Sequence, residues 1–193
     1  PGQEGLLRRS YARTEKLLDF VRALLEITRI KLSNKMETGP FSLLKTAENA
    51  VLLVEEKARG KKIALTWSVA SGVDVITGAQ IYIEETIANF LANSIKYTPE
   101  GGSVELSITD EGEKVRIRVT DTGIGVPKED LPHLFEEFFR AKNARATERT
   151  GTGLGLSIAR EVAEKHNGRI WAESQEGKGA SFFFVLPKNA PGP

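Results

Sequence analysis

Residues 104–119 alternate apolar and polar side chains twice over, and that pattern leaves few ways to fold. Val104, Leu106 and Ile108 mark one strand; Val115, Ile117 and Val119 mark a second; residues 110–114 between them, with Gly112, form a turn. A hairpin that is apolar on one face must be covered on that face. The rest of the chain supplies the cover. Ser42 can cap a helix over Leu43–Ala58 that stops at Gly60, residues 80–97 read as a helix, and Leu154–His166 reads as another, ended by Asn167-Gly168. Ile63–Val69 reads as a strand, and Arg169–Ser174 with Ser181–Leu186 as a final strand pair. Thr38-Gly39-Pro40 is read only as a helix stop, Ala141–Thr152 as a polar stretch, and Asn189–Pro193 as a frayed tail. Helices and strands mix without regular βαβ alternation. The expected class is α+β, a two-layer α/β sandwich with a mixed sheet and helices on one face.

A long helix precedes this unit, from Leu6 to Met36. Leu7, Tyr11, Thr14, Leu18, Val21, Leu25, Thr28 and Leu32 form a heptad-like stripe, with Leu17 and Leu24 beside it. A helix of about 30 residues is about 45 Å long. That is too long to bury its stripe on one small domain, so a place in an oligomeric bundle is the preferred reading over a helix lying on the core. Domains are expected at 1–38 and 39–193.

The chain has no cysteine, which excludes disulfides, thiolate metal sites and cysteine nucleophiles. Its two histidines, His133 and His166, are too far apart for a familiar zinc spacing. With 27 basic and 26 acidic residues, bulk charge favours neither nucleic acid nor an anionic membrane. The longest aliphatic run is Val51–Val54, so no membrane segment and no signal peptide are expected, and a cytoplasmic setting fits.

Three places carry chemistry. On the helix 80–97, Glu85, Asn89, Asn93 and Lys96 share one stripe, opposite Ile83, Ile87, Phe90, Leu91 and Ile95. Two poor helix formers one turn apart gain nothing on a solvated face. Stacked amides with a lysine suit Mg²⁺ and a polyphosphate. Asp121, in Asp121-Thr122-Gly123-Ile124-Gly125, continues the inward parity of Val115, Ile117 and Val119. A buried carboxylate needs a donor, which an amine-bearing ligand can supply. Gly151-Thr152-Gly153-Leu154-Gly155-Leu156 runs into a helix, where backbone amides and the helix dipole favour phosphate. It is neither a Rossmann nor a Walker sequence. Between the glycine clusters, Phe135-Glu136-Glu137-Phe138-Phe139-Arg140 has aromatics read as core contacts, and Lys142, Arg145 and Arg149 follow in a segment that can act as a lid.

Asn-x-x-x-Asn-Ser-x-Lys-Tyr-Thr (89–98), Asp-x-Gly-x-Gly (121–125), Phe-Glu-x-Phe-x-Arg (135–140) and Gly-Thr-Gly-Leu-Gly-Leu (151–156), in this order, resemble the ATP-binding domain of sensor histidine kinases. That domain belongs with the gyrase B, heat-shock chaperone and mismatch-repair ATPases. The resemblance covers about residues 63–187, and Leu24–Ile30 looks like part of the second helix of the family's dimerisation hairpin.

The resemblance implies a Bergerat-type fold and a cofactor pair of ATP and Mg²⁺. Asn93 would hold the metal, assisted by Asn89. Lys96 and Tyr97 would reach phosphate or ribose. Asp121 would accept from the adenine amino group beside Gly123 and Gly125. Arg140 and the run Gly151, Thr152, Gly153, Leu154, Gly155 would border the triphosphate. Ala79 and Glu85 depart from the pattern, at positions where aspartate and glutamine are common, outside the ligand set.

The resemblance also implies transfer of the γ-phosphoryl group to histidine, a homodimeric full-length form and a downstream response regulator. The hairpin's first helix, with the acceptor histidine, is not found in these 193 residues. His133 follows a proline, and His166 closes a helix where a cation would complement the dipole or a ring could cover the turn; neither matches the acceptor motif. An ATP-driven conformational switch would need a carboxylate one turn before Asn93, where Asn89 stands. A serine kinase of a small regulatory protein and a dead ATP-binding module are the remaining rivals.

Overall fold

The computed structural model describes residues 3–32, 36–148 and 151–189. Helix α1 spans Gln3–Leu32, strand β1 Gly39–Ser42, α2 Leu43–Gly60, β2 Ala64–Val69 and β3 Val75–Gly78. Then come α3 (Gln80–Tyr97), β4 (Ser103–Glu111), β5 (Lys114–Asp121), α4 (Lys142–Thr147), α5 (Gly155–Lys165), β6 (Arg169–Ser174) and β7 (Ala180–Pro187). Five strands form one sheet in the order β2-β4-β5-β7-β6. β2 runs parallel to β4 and every other neighbour pair is antiparallel. The sheet is therefore mixed, as expected.

The alternation does what its period requires. Val104, Leu106, Ile108, Val115, Ile117 and Val119 are all at most 1% exposed and lie under the apolar sides of α2, α3 and α5. Ser42 caps α2, its hydroxyl accepting from the Lys45 amide at 3.2 Å. On the sheet's other face Trp171 stacks on Phe183, centroids 4.7 Å apart, with the Arg169 and Arg116 guanidiniums over the indole. Such cross-strand pairs shield the strands where no helix does.

A small antiparallel ribbon of β1 and β3 was not expected. Each strand has four residues, too few to show a period. Pro40 is tolerated because both strands of a two-stranded ribbon are edges. The tail also differs from the expected frayed end: Asn189 bridges to Thr77, and the Thr77 amide donates to Lys188 O at 2.8 Å. Residues 190–193 lie outside the described residues.

Helix α1 is described as far as Leu32, and Met36 is outside it; residues 33–35 lie outside the described residues. It meets the domain through Ile27 and Ile30, which are 3% and 1% exposed, not through the heptad-like stripe. Leu7, Tyr11, Leu18, Val21, Leu25 and Leu32 stay exposed. Lys31 ties the helix to Glu137 and, at 3.5 Å, to Glu161 of α5, and Phe20 faces Phe138 at 5.7 Å.

Of the two roles open to His166 at its helix end, the structure shows the buried ring and not the cation. It is 2% exposed; its Nε2 accepts from the Ala79 amide at 2.9 Å and its Nδ1 donates to Val162 O at 2.7 Å. That pattern requires the neutral ring. Burial, partly offset by the Val162 carbonyl, holds its pKa below the usual 6.5. The unfolded chain therefore takes up a proton that the folded chain refuses. Stability falls as pH drops below 6.5, until the folded pKa is reached, by at most about 1.4 kcal/mol per pH unit. Melting curves from about pH 7.5 to about pH 5 should fall more steeply for the wild type than for His166→Asn, which does not titrate. Equal slopes would contradict this.

Candidate functional site

One cleft of about 290 Å³ opens between α3, the turn after β5, the segment around α4 and the start of α5. Asn89, Asn93, Lys96 and Tyr97 reach it from α3, Asp121 and Gly125 from the end of β5, and Arg140, Gly151, Thr152, Gly153 and Gly155 from the opposite rim. Ile124, Val126, Leu134, Phe139 and Phe182 line it with apolar surface. Helical phase explains the first group and strand parity the second.

Asp121 is 7% exposed and held by three donors. The Ser94 hydroxyl donates to Oδ2 at 2.9 Å; the Gly123 and Ala180 amides donate to Oδ1 at 2.8 and 3.2 Å. Burial pushes its carboxyl above the usual range, against the pull of Gly123, Ser94 and Ala180. A carboxylate has about four lone-pair sites, so one more donor can be taken. A ligand amino group placed there favours the ionised form, and such a ligand binds better as pH rises through the carboxyl pKa.

At the other end Lys96 is held below the usual lysine range, chiefly by burial and by Arg140, against the pull of Glu148. An anion beside it would favour its charged form. The space for one is backbone-lined: a side chain on Gly151 would come within 3.3 Å of Lys96 Nζ, and one on Gly153 within 2.9 Å of Phe138 Cα. Asn93 Nδ2 donates to Asn89 Oδ1 at 3.2 Å, while Asn89 Nδ2 is buried without a hydrogen-bond partner. A buried orphan donor of this kind is costly unless a ligand oxygen accepts from it. The amide oxygen of Asn93 is a hard donor of the sort Mg²⁺ takes. Among the described residues no three His, Cys, Asp or Glu side chains cluster as a metal cage. That suits a metal held by few protein atoms together with phosphates. The residues present fit both groups.

Two expected site residues stand elsewhere. Leu154 is fully buried in the core, and its amide donates to the Thr152 hydroxyl at 3.2 Å. α5 begins at Gly155, so Leu154 at its N-cap packs inward. Gly123 does not line the cleft; it acts through Asp121, and a side chain there would meet Tyr97 O at 2.8 Å. Phe138, read as a core contact, is 46% exposed with a φ of 62°.

The segment 141–152 contains the short helix α4, tethered by Asp130 accepting from the Lys142 amide at 2.8 Å and by Asn143 donating to Gly125 O at 2.9 Å. Arg149 lies outside the described residues. Ser94 and the Ala180 amide were not foreseen. A serine on an otherwise apolar helix face was a usable signal; a backbone amide carries none.

Residues 78–190 match the family model described as histidine kinase-, DNA gyrase B-, and HSP90-like ATPase. Over 107 residues, 54% of this chain, the sequence is 47% identical to the sensor histidine kinase WalK of Bacillus subtilis (strain 168), of which that covers 18%. Over 178 residues, 92% of this chain, it is 34% identical to the sensor-like histidine kinase SenX3 of Mycolicibacterium smegmatis, of which that covers 46%. The chain thus spans less than half the length of these relatives. Among solved structures, the nucleotide-free catalytic domain of histidine kinase ThkA is 32% identical, with a TM-score of 0.70, covering 80% of this chain and 99% of that one. ThkA in complex with the response regulator TrrA gives 26% identity and a TM-score of 0.78, covering 97% of this chain and 53% of that one.

Proposed function

The chain belongs to the histidine kinase-, DNA gyrase B-, and HSP90-like ATPase family, and on that premise we propose that it binds Mg-ATP and transfers the γ-phosphoryl group to a histidine imidazole on a separate helix. The observation that carries this reading is the cleft's polarity. A desolvated carboxylate stands among apolar side chains, and stacked amides, two cations and glycine backbone stand on the other walls.

Asp121 accepts from the adenine amino group. Lys96, Arg140 and the backbone of Gly151, Thr152, Gly153 and Gly155 would surround the triphosphate, and Asn93, assisted by Asn89, would hold Mg²⁺. When bound, the metal neutralises charge on the phosphate oxygens. The imidazole nitrogen forms a bond to the γ-phosphorus as the bond to the bridging oxygen breaks; that oxygen keeps the electron pair and leaves with ADP. The imidazole proton passes to a base on the acceptor's own segment. This chain's part is positioning and charge neutralisation. α3 carries no carboxylate one turn before Asn93, which speaks against activation of water and so against an ATP-driven switch.

Neither histidine of the chain suits the acceptor role. His166 is buried with both ring nitrogens engaged, and His133 pairs with Glu136 at 2.8 Å. We read residues 1–38 as part of a dimerisation element and 39–193 as the catalytic domain. The exposed stripe of α1 supports a homodimer, and the ThkA–TrrA complex supports a response regulator as downstream partner. Among the described residues no helix is long and apolar enough to cross a membrane. A cytoplasmic setting is part of this reading.

The test is incubation with labelled ATP, with and without a polypeptide that carries the acceptor helix. Acid-labile, alkali-stable label should appear on that polypeptide and not on this chain. Label on His133 or His166 of the chain alone, or no transfer to the added helix, would overturn the reading.

A further inference from the structure

The carbonyls at the end of α3 can be accounted for one by one. A helix leaves its last four without intrahelical partners, here those of Ile95, Lys96, Tyr97 and the cap residue Thr98, while Ser94 is the last to be met from within. Ser94 O accepts from the Thr98 amide and hydroxyl at 3.0 and 2.6 Å. Tyr97 O accepts from the Ile124 amide at 3.2 Å. The other three, those of Ile95, Lys96 and Thr98, all accept from one atom, Lys61 Nζ, at 2.8, 3.0 and 2.6 Å.

Lys61 comes from another helix, and its own backbone is pinned. It caps α2, and Lys62 after it takes a φ of 53°. The Lys62 and Ile63 amides donate back to Arg59 O and Ala58 O at 3.0 and 2.9 Å, the crossed pair of a left-handed helix end. Glycine usually fills that place, and a lysine there is strained. Lys61 O in turn accepts from the Gly101 amide at 3.2 Å, and Lys62 pairs with Glu100 at 2.6 Å.

We propose that Lys61 is a positioning residue for the nucleotide site: its ammonium, with three donors converging on three carbonyls, sets where the last turn of α3 holds Lys96 and Tyr97 against the cleft. Three donors and a full charge match that task, and the negative end of the helix dipole favours it. Of the three donors to Asp121 at the adenine end, only Ser94 lies on α3; the Gly123 and Ala180 amides lie outside that helix. Removing the ammonium therefore acts mainly on the phosphate end, where Lys96 and Tyr97 both belong to the held turn. This inference rests on the nucleotide reading above.

Lys61→Met keeps the stem and removes the donors. Titrated well below its melting temperature, it should bind ATP about tenfold more weakly, the scale of a hydrogen bond to a charged group, with adenosine affinity little changed. Lys61→Arg keeps the charge but holds its donors in a plane, and should lose ATP affinity in smaller measure with the same selectivity; it carries the test if Lys61→Met does not fold. A lowered melting point with an unchanged ATP-to-adenosine affinity ratio would make Lys61 a merely structural residue and overturn the inference alone. A wild-type chain that binds neither ligand would overturn the nucleotide reading and this inference with it.

Discussion

Replacing Asn93 by alanine is expected to lower phosphoryl transfer by about 100- to 1,000-fold, the scale of losing one preorganised polar contact to a transferring group. The side chain faces the cleft one turn from Asn89, and its Nδ2 donates to Asn89 Oδ1. Truncation removes the metal's proposed protein ligand and frees the Asn89 amide at once. Adenosine, which carries no phosphate, should bind as before. The gain in ATP affinity on adding Mg²⁺ should shrink in the variant, which separates a metal ligand from a residue that only supports the helix. Transfer at the wild-type rate would remove Asn93 from the metal site.

Gly179→Ala is expected to cost about 2–4 kcal/mol of stability, from strain at positive φ together with overpacking. Gly179 has a φ of +90°, and a Cβ there would stand 1.9 Å from Asp121 O. That atom is backbone inside a paired strand, so it has nowhere to go. Because Ala180, the next residue, donates its amide to Asp121 Oδ1, the shift should also loosen the adenine end of the cleft. A melting point about 5–15 °C lower, with weakened adenosine binding, is the expected result. A variant that melts within about 2 °C of wild type would show that the turn absorbs the methyl group.

The regular elements were readable because local sequence repeats a period that burial then enforces. The polar stripe of α3 and the inward parity of Asp121 are cases of this; both follow from geometry internal to one element. What could not be read depends on partners distant in the chain. Which stripe of α1 buries is decided by α5, so Ile27 and Ile30 displaced the heptad pattern. His166's own helix leaves cation and neutral ring both open; what decides is the Ala79 amide, 87 residues away. Leu154 was taken with the glycines around it because a composition run hides the residue at which a helix begins. The ribbon of β1 and β3 was too short for any period to appear.

Asp121 and Ala180 are register partners on β5 and β7, 59 residues apart, and nearly the whole opposite wall of the cleft is strung between them. In polymer terms the sheet closes one large ring. The entropy of closing a ring grows only with the logarithm of its length, so adding about six residues to it costs about 0.1 kcal/mol. Chain length between the two anchors is therefore almost free to change, whereas the anchors are not. Variation in the reach of the segment around α4 can accumulate without disturbing the carboxylate at the other end of the cleft.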